Sequence, residues 1–297
     1  MSANARGLYY LNPDPLLDDF FLGNTDVTSS ELNGDRTIGD YYAWEWGDAL
    51  FVVLDPYWYS ATKPFVGNTG GGEAYSPGSG DRWDWTLGYS QYLWLKKTLE
   101  GSRATYKFVF LHQLVGGTED YGRGGANAVP YAEWGGNNTD GVTPGFDAHR
   151  PRWYAPIHRL LVEGKVTAVF HGHDHEFAYE QRDGVVYQLV PMAADATYGK
   201  GFNNYHETDP YTVRVLHNSG HLVVTVSASQ VKVDYIRAIL PGSQGTNASV
   251  VYSYAIAPPG YRRRSVRASN NHRPSLARWS SLTAPTDAGD AGLRGQH

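Results

Sequence analysis

The chain has 297 residues, a formal net charge of −5 and no cysteine. This length predicts one large domain or two small ones. The charge excludes a global basic field for nucleic acid, and the missing cysteines exclude disulfides and thiolate metal sites. No apolar run approaches the ~20 residues of a membrane-spanning helix, and "MSANARGLYY" lacks the apolar stretch of a signal peptide. The sequence therefore predicts neither nucleic-acid binding nor a membrane segment, and it leaves the localisation unknown.

Residues 1–40 are rich in turn-forming residues, and they are predicted to be a loop-rich segment. Residues 41–258 alternate apolar runs with an amphipathic pattern and are predicted to form one α/β domain. Its predicted strands lie at 41–46, 49–55, 106–111, 165–170, 184–193 and 221–240, and its helices at 89–100 and 152–164. Between them lie two long Gly-rich loops, at 60–88 and 113–150.

The last segment, residues 259–297, has a different character. From Arg262 onward it contains seven arginines against two aspartates and few apolar residues. A segment of this composition cannot bury enough apolar surface to fold, so a disordered basic tail is predicted.

The order of strands and helices indicates the fold class. Strand, helix, strand, helix and strand follow one another along the chain, which favours an α/β layered core. The strands at 106–111 and 165–170 are continuously apolar, and such strands are typical of a sheet covered on both faces.

Histidines follow two of these strands directly. "HGHDH" (171–175) comes after one strand, and His112 comes after the other. Ligands of open α/β sheets bind at the carboxyl ends of the strands. In an extended segment His173 and His175 would point to the same side. We therefore expect a metal site here, and without thiolates its ligands favour zinc, iron or manganese.

These elements resemble the calcineurin-like metallophosphoesterases, the family that includes the purple acid phosphatases. "GHDH" (172–175) resembles the closing motif of that family, and "YYAWEWGDALFVVLD", "QYLWLKKTLE" and "YKFVFLHQ" follow in its usual order. The resemblance implies an αββα sandwich with mixed sheets and one or two metal ions. By position it implies that His112 and His173 bind the second metal and that His175 binds the first. The implied reaction is hydrolysis of a phosphate monoester or diester by metal-activated water.

The upstream blocks of the family, DxH, GDxxD and GNHE, are absent before residue 41. The chain therefore resembles the C-terminal half of the family, and the resemblance permits an extracytoplasmic full-length protein. "GDRWD" (80–84) and "DAH" (147–149) match two blocks in letters, but they lie in the long loops and in the wrong order. We expect a second copy or a partner chain to complete the sheet and the site.

Four further residues are candidates around the cluster. Asp174 could orient a ligand imidazole, because metal-bound histidines usually donate their second N–H to a carboxylate. Arg123 and Arg150 could contact substrate phosphate, since arginine suits bidentate phosphate binding. His206 is the candidate general acid.

The sequence supports a metal-dependent phosphoesterase first, with an activity that could be impaired by the absent ligands. Two alternatives stay open. One is a non-catalytic α/β binding or assembly module with a degenerate metal site. The other is a mononuclear hydrolase with promiscuous ester activity.

Overall fold

The computed structural model describes residues 13, 19–23, 27–30, 34–37, 41–57, 59–60, 81–114, 124–194, 209–217 and 219–258. All of them belong to one compact unit, Met1–Tyr261. The predicted tail at 259–297 and two candidate site residues, Arg123 and His206, lie outside the described residues.

Strands dominate the described part of the chain. They are β1 Val27–Ser30, β2 Gly34–Thr37, β3 Tyr42–Trp46, β4 Ala49–Val53, β5 Tyr106–Leu111, β6 Ala168–His171, β7 Phe177–Arg182, β8 Val185–Leu189, β9 Thr212–Leu216, β10 Gly220–Val226, β11 Val231–Arg237 and β12 Ser249–Ile256. The helices are α1 Tyr89–Gly101, α2 Ala132–Gly135, α3 Phe146–His149 and α4 Ile157–Glu163, with 3-10 turns at Arg82–Asp84 and Ala126–Ala128. Within this described part, none of the helices combines the length and apolar character needed to cross a bilayer.

A mixed sheet of seven strands forms the centre of the fold, in the order β3-β4-β5-β6-β8-β7-β9. Strands β4, β5, β6 and β8 run parallel, whereas β3, β7 and β9 pair in antiparallel fashion. The predicted α/β class with a mixed sheet is confirmed. The parallel strands all end at one edge, here called the carboxyl edge.

The two faces of this sheet are covered by different layers. On one face, Leu50, Val52 and Val109 pack against helices α1 and α4 in a single core cluster. On the other face, Phe108 and Phe170 pack against the antiparallel sheet β10-β11-β12. The layers are therefore helices, large sheet and small sheet, which is the covered arrangement that the apolar strands predicted.

Several predicted boundaries change in the structure. Residues 1–40 contain the antiparallel strand pair β1–β2, although a loop was predicted. Helix α4 begins at Ile157 rather than 152, because Pro156 occupies its N-cap. Strand β6 begins at Ala168, since Lys165 has a left-handed φ of 56°. The predicted loop 113–150 contains α2, α3 and a 3-10 turn.

Candidate functional site

The carboxyl edge of the large sheet collects the polar residues that follow its parallel strands. Asp55 and Tyr57 follow β4, His112 follows β5, and His171 ends β6. The Gly172 N–H donates to the His112 carbonyl oxygen at 2.8 Å, which holds the ends of β5 and β6 side by side. This edge is the usual place for a ligand in an open α/β sheet.

His112 and His173 meet at this edge. Their Nε2 and Nδ1 atoms are 2.8 Å apart, and the two rings form an edge-to-face pair with centroids 4.9 Å apart. One nitrogen donates to the other, and the tautomers decide which. The predicted pairing of these two histidines in space is thus present, while their role as metal ligands remains a prediction.

The surroundings of His112 favour its neutral form. Its ring is exposed at the surface, yet the protein around it lowers its pKa through desolvation, and His175 lowers this pKa further while Asp174 raises it. A neutral imidazole is the form that binds a metal ion.

The backbone of the "GHDH" segment is strained at the histidines. His173 has a φ of 84° and His175 a φ of 54°, both in the left-handed region. Non-glycine residues held there cost of order 1–3 kcal/mol and cluster at functional sites. The segment is therefore not extended, and the alternation argument for His173 and His175 was wrong. Gly172 has no left-handed φ, and a Cβ there would meet only the His112 carbonyl oxygen at 3.6 Å.

Asp174 of this segment and Glu176, which follows it, are both buried. Asp174 raises the pKa of His112, and its orienting role stays a prediction. Glu176 is bound elsewhere: its Oε2 lies 3.1 Å from His217 Nδ1, and both residues are buried. The fold thus uses Glu176 and His217 as an internal pair.

The sequence did not predict the residues that pack beside His112, which are Tyr57 and Gln113. The Tyr57 hydroxyl donates to Gln113 Oε1 at 3.0 Å, and its ring lies 5.9 Å from the His112 ring and 6.0 Å from the Trp85 ring. The Tyr57 N–H in turn donates to Asp55 Oδ1 at 2.7 Å. The sequence could have indicated this contact only through position, because Tyr57 and Gln113 follow the ends of adjacent parallel strands.

Other sequence candidates have structural partners. Arg150 donates from Nε to the buried Glu133 carboxylate and from Nη2 to the Trp83 carbonyl oxygen at 2.6 Å. In "GDRWD", Asp81 caps a 3-10 turn by accepting from the Trp83 N–H. In "DAH", the His149 ring stacks on Trp83 with centroids 4.5 Å apart. These contacts hold loops together, and a phosphate-binding role of Arg150 stays a prediction.

The donor set fits one metal ion in part. Across the described residues, no group of three or more His, Asp or Glu side chains is arranged to hold an ion. Two imidazoles suit part of a zinc, iron or manganese shell. Nitrogens sharing a tetrahedral zinc ion at ~2.0–2.1 Å stand ~3.3 Å apart, so the pair at 2.8 Å would have to open slightly. Two ions ~4 Å apart would repel strongly without carboxylates between them.

A scan against protein-family models finds no match, and neither does a search of curated proteins. Similar solved structures include PhoD, with 17% identity over 77% of this chain and 44% of that chain and a TM-score of 0.47. Purple acid phosphatase PPD1 from yellow lupin (Lupinus luteus) has 14% identity over 74% and 33%, with a TM-score of 0.45. GAP50, the anchor in the inner membrane complex of Plasmodium, has 11% identity over 73% and 53%, with a TM-score of 0.42. This chain thus spans about half or less of each of these proteins. Similarity of this size assigns no residue role to the chain.

Proposed function

We propose that this chain binds a zinc, iron or manganese ion through His112 and His173 and hydrolyses phosphate esters at that site. The observation that carries the proposal is the convergence of the two imidazoles, 2.8 Å apart, at the carboxyl edge. The strained backbone of His173 supports it, because the fold bears a cost to present that ring.

The substrate class rests on the resemblance of "GHDH" and the strand-end His112 to the metallophosphoesterases. Under the same resemblance, His175 is the ligand of a second ion, and a mono- or diester of phosphate is the substrate. A bound ion would supply Lewis-acid activation of water and of the ester. His112 and His173 would hold the ion, and Tyr57 and Gln113 would form the side of the site next to His112.

The test is metal content per chain, measured by elemental mass spectrometry, together with hydrolysis of a chromogenic phosphate ester. We expect a bound ion in the wild type and loss of both ion and hydrolysis in His173→Ala. His221→Ala is the matched control, because His221 is an exposed histidine on β10 outside the carboxyl-edge cluster. Hydrolysis that survives in His173→Ala would overturn the proposal.

A non-catalytic binding module is the second candidate function. The observation in its favour is that, within the described residues, no carboxylate joins the two imidazoles in a metal-binding group. This alternative predicts a folded chain in excess chelator, with no hydrolysis at any pH. A mononuclear hydrolase, the remaining alternative, would cleave carboxylate esters as well as phosphate esters, so comparing the two substrates separates it from the first candidate.

A further inference from the structure

A cavity opens at the amino ends of β5 and β6, on the edge of the large sheet opposite the histidines, here called the amino edge. Its lining comes from the last turns of α1 and α4 and from the two segments that lead into the strands, 102–105 and 164–165. Its volume is about 580 Å³, which lies in the range of small-molecule sites. Lys107 lines this cavity, and five residues of extended chain, about 16 Å, separate it from His112 at the carboxyl edge. The cavity is therefore distinct from the histidine cluster.

A close contact between two helices forms one wall of this cavity. Leu99 of α1, Leu160 of α4 and Gly164 all line it. A Cβ at Gly164 would meet the Leu160 carbonyl oxygen at 2.9 Å and the Leu99 Cβ at 3.2 Å. Glycine at this position thus allows the two helix ends to approach each other, and the two leucines give the cavity an apolar wall.

Lys107 brings a buried ammonium group to the cavity. It is 7% exposed, and its Nζ donates to the Leu99 carbonyl oxygen at 2.7 Å. Within the described part of the chain, Lys107 takes part in no ion pair. Burial lowers the pKa of Lys107, the charge of Glu45 opposes this shift, and the charge of Lys165 adds to it. Since buried charges in proteins are usually paired, an anion in the cavity would supply the counter-charge that this lysine needs.

The carboxylates in the lining have partners of their own. Glu100 and Glu163 each form an ion pair with a basic residue one turn earlier on the same helix, at 2.5 Å and 2.7 Å. Arg103 and Lys165 also line the cavity, and among the described residues neither has an ion-pair partner. Three cations, Lys107, Arg103 and Lys165, therefore border the cavity without a described carboxylate of their own.

The loop that carries Arg103 is anchored on both sides. The Ser102 hydroxyl donates to the Glu45 carboxylate, and the Thr105 N–H donates to Asp48 Oδ1 at 3.0 Å. Ser102 and Thr105 line the cavity, whereas Glu45 and Asp48 do not. These two carboxylates thus hold the loop from outside the lining, and Arg103 stands between its two anchored residues.

Lys165 occupies a backbone position that glycine usually takes. Its φ is 56°, its N–H donates to the Val162 carbonyl oxygen at 3.1 Å, and the Val166 N–H donates to that of Leu161 at 2.8 Å. These bonds form the Schellman end of α4, where glycine avoids the Cβ penalty of the left-handed region. A lysine here lowers the stability of the helix end, so the reason for its presence lies in its side chain.

We propose that this cavity binds a small phosphorylated molecule, with its phosphate among Lys107, Arg103 and Lys165. The arginine fork suits a phosphate, and the two ammonium groups add point charges. A phosphate dianion offsets more of this positive charge than a single carboxylate does. The wall of Leu99 and Leu160 would contact the organic part of the molecule. The inference rests on the amino edge alone and is independent of the proposed metal site.

The test is equilibrium dialysis of the full chain with phenylphosphonate, which carries a dianionic head on an apolar ring and has no ester bond to hydrolyse. We expect it to bind, and we expect benzoate, its carboxylate counterpart, to bind at least about fivefold more weakly. Arg103→Gln and Lys165→Gly should each weaken phenylphosphonate binding about tenfold, through loss of one charge-assisted hydrogen bond. Lys97→Gln, at an exposed α1 position outside the lining, should bind like the wild type, and so should His173→Ala.

Lys165→Gly separates ligand binding from a purely structural role. A cation beside the C-terminal end of a helix can also be kept because it complements the helix dipole. In our proposal glycine removes backbone strain, so the urea midpoint rises while binding weakens. A lower midpoint with unchanged binding would assign Lys165 to the helix end and overturn its place in the site.

Three further results would contradict the proposal. A wild-type chain that does not bind phenylphosphonate would overturn the site itself. Benzoate binding as tight as phenylphosphonate binding would overturn the phosphate preference. Loss of binding in His173→Ala would move the anion to the carboxyl edge. Hydrolysis of the chromogenic ester is measured separately, so failure of the proposed function leaves this test unaffected.

Discussion

Two histidines of this chain have opposite surroundings. His158 is buried, and both of its ring nitrogens are bonded within the fold: Nδ1 lies 2.6 Å from the Tyr187 hydroxyl and Nε2 lies 2.9 Å from Asp183 Oδ2. His112 is exposed at the carboxyl edge, and its Nε2 faces a second imidazole, that of His173. His158 is thus bonded within the fold, whereas a ligand-binding role of His112 is a prediction.

The same contrast holds for charge. On the helical side, the buried Glu133 carboxylate is matched by Arg150 and by the Leu87 N–H at 3.0 Å. At the carboxyl edge, the His112 and His173 rings lie together, and the backbone of His173 is left-handed. The buried Glu133 carboxylate thus has matched partners whose removal would be costly, whereas a binding role of the two adjacent imidazoles is a proposal. The predictions below test whether the two regions separate in this way.

The largest expected effect is on the helical side. Arg150→Met leaves Glu133 buried without its cation, and breaking a buried pair from one side costs about 3–5 kcal/mol of unfolding free energy. Urea denaturation measures this loss, and metal content should not change. Arg152→Met is the control, because Arg152 is exposed over the Tyr89 ring. Normal stability combined with a raised KM would instead place Arg150 at the substrate.

A smaller effect is expected at the carboxyl edge. Glycine adopts a φ of 84° without the Cβ penalty that alanine meets there. His173→Gly should therefore be more stable than His173→Ala by about 1 kcal/mol, although we expect both to lack the proposed metal ion. Paired urea titrations of the two variants give the difference. Equal midpoints would show that residue 173 is not left-handed in solution.

Runs of apolar residues correctly predicted the central strands of the large sheet. Strand β5 and helix α1 lie where the pattern placed them, and Gly47-Asp48 joins β3 and β4 as expected. Strands β7 and β9 were not predicted, because "FAYEQR" and "TVRVL" mix polar residues with apolar ones. Strand β9 pairs with the distant β7, whereas β7 forms a hairpin with β8 through Asp183-Gly184, a turn signal that the sequence offered. Strand β12, "SVVYSYAI", was also missed.

The site was predictable to the extent that it follows from strand ends. His112 and His173 each lie one or two residues past an apolar strand, and parallel neighbours bring such residues together. The left-handed backbone was not predictable, since glycine at 172 was the expected position of conformational freedom. The Tyr57–Gln113 contact depends on β4 and β5 being neighbours, which a single sequence does not show.

The smallest expected effect concerns pH. Desolvation lowers the pKa of His158, and the hydrogen bond and charge of Asp183 oppose this shift while Arg182 adds to it. In the unfolded chain His158 has a pKa of about 6.5, so on acidification the unfolded chain binds the proton before the folded chain does. The contribution of neutral His158 to the unfolding free energy is therefore present above that pH and is lost as pH falls toward the lower folded pKa. His158→Gln should flatten the fall in unfolding free energy just below that pH. Asp183→Asn should deepen the fall and extend it to lower pH, because it removes the group that raises the folded pKa. Unchanged curves in both variants would mean that His158 does not contribute to the acid sensitivity of the fold.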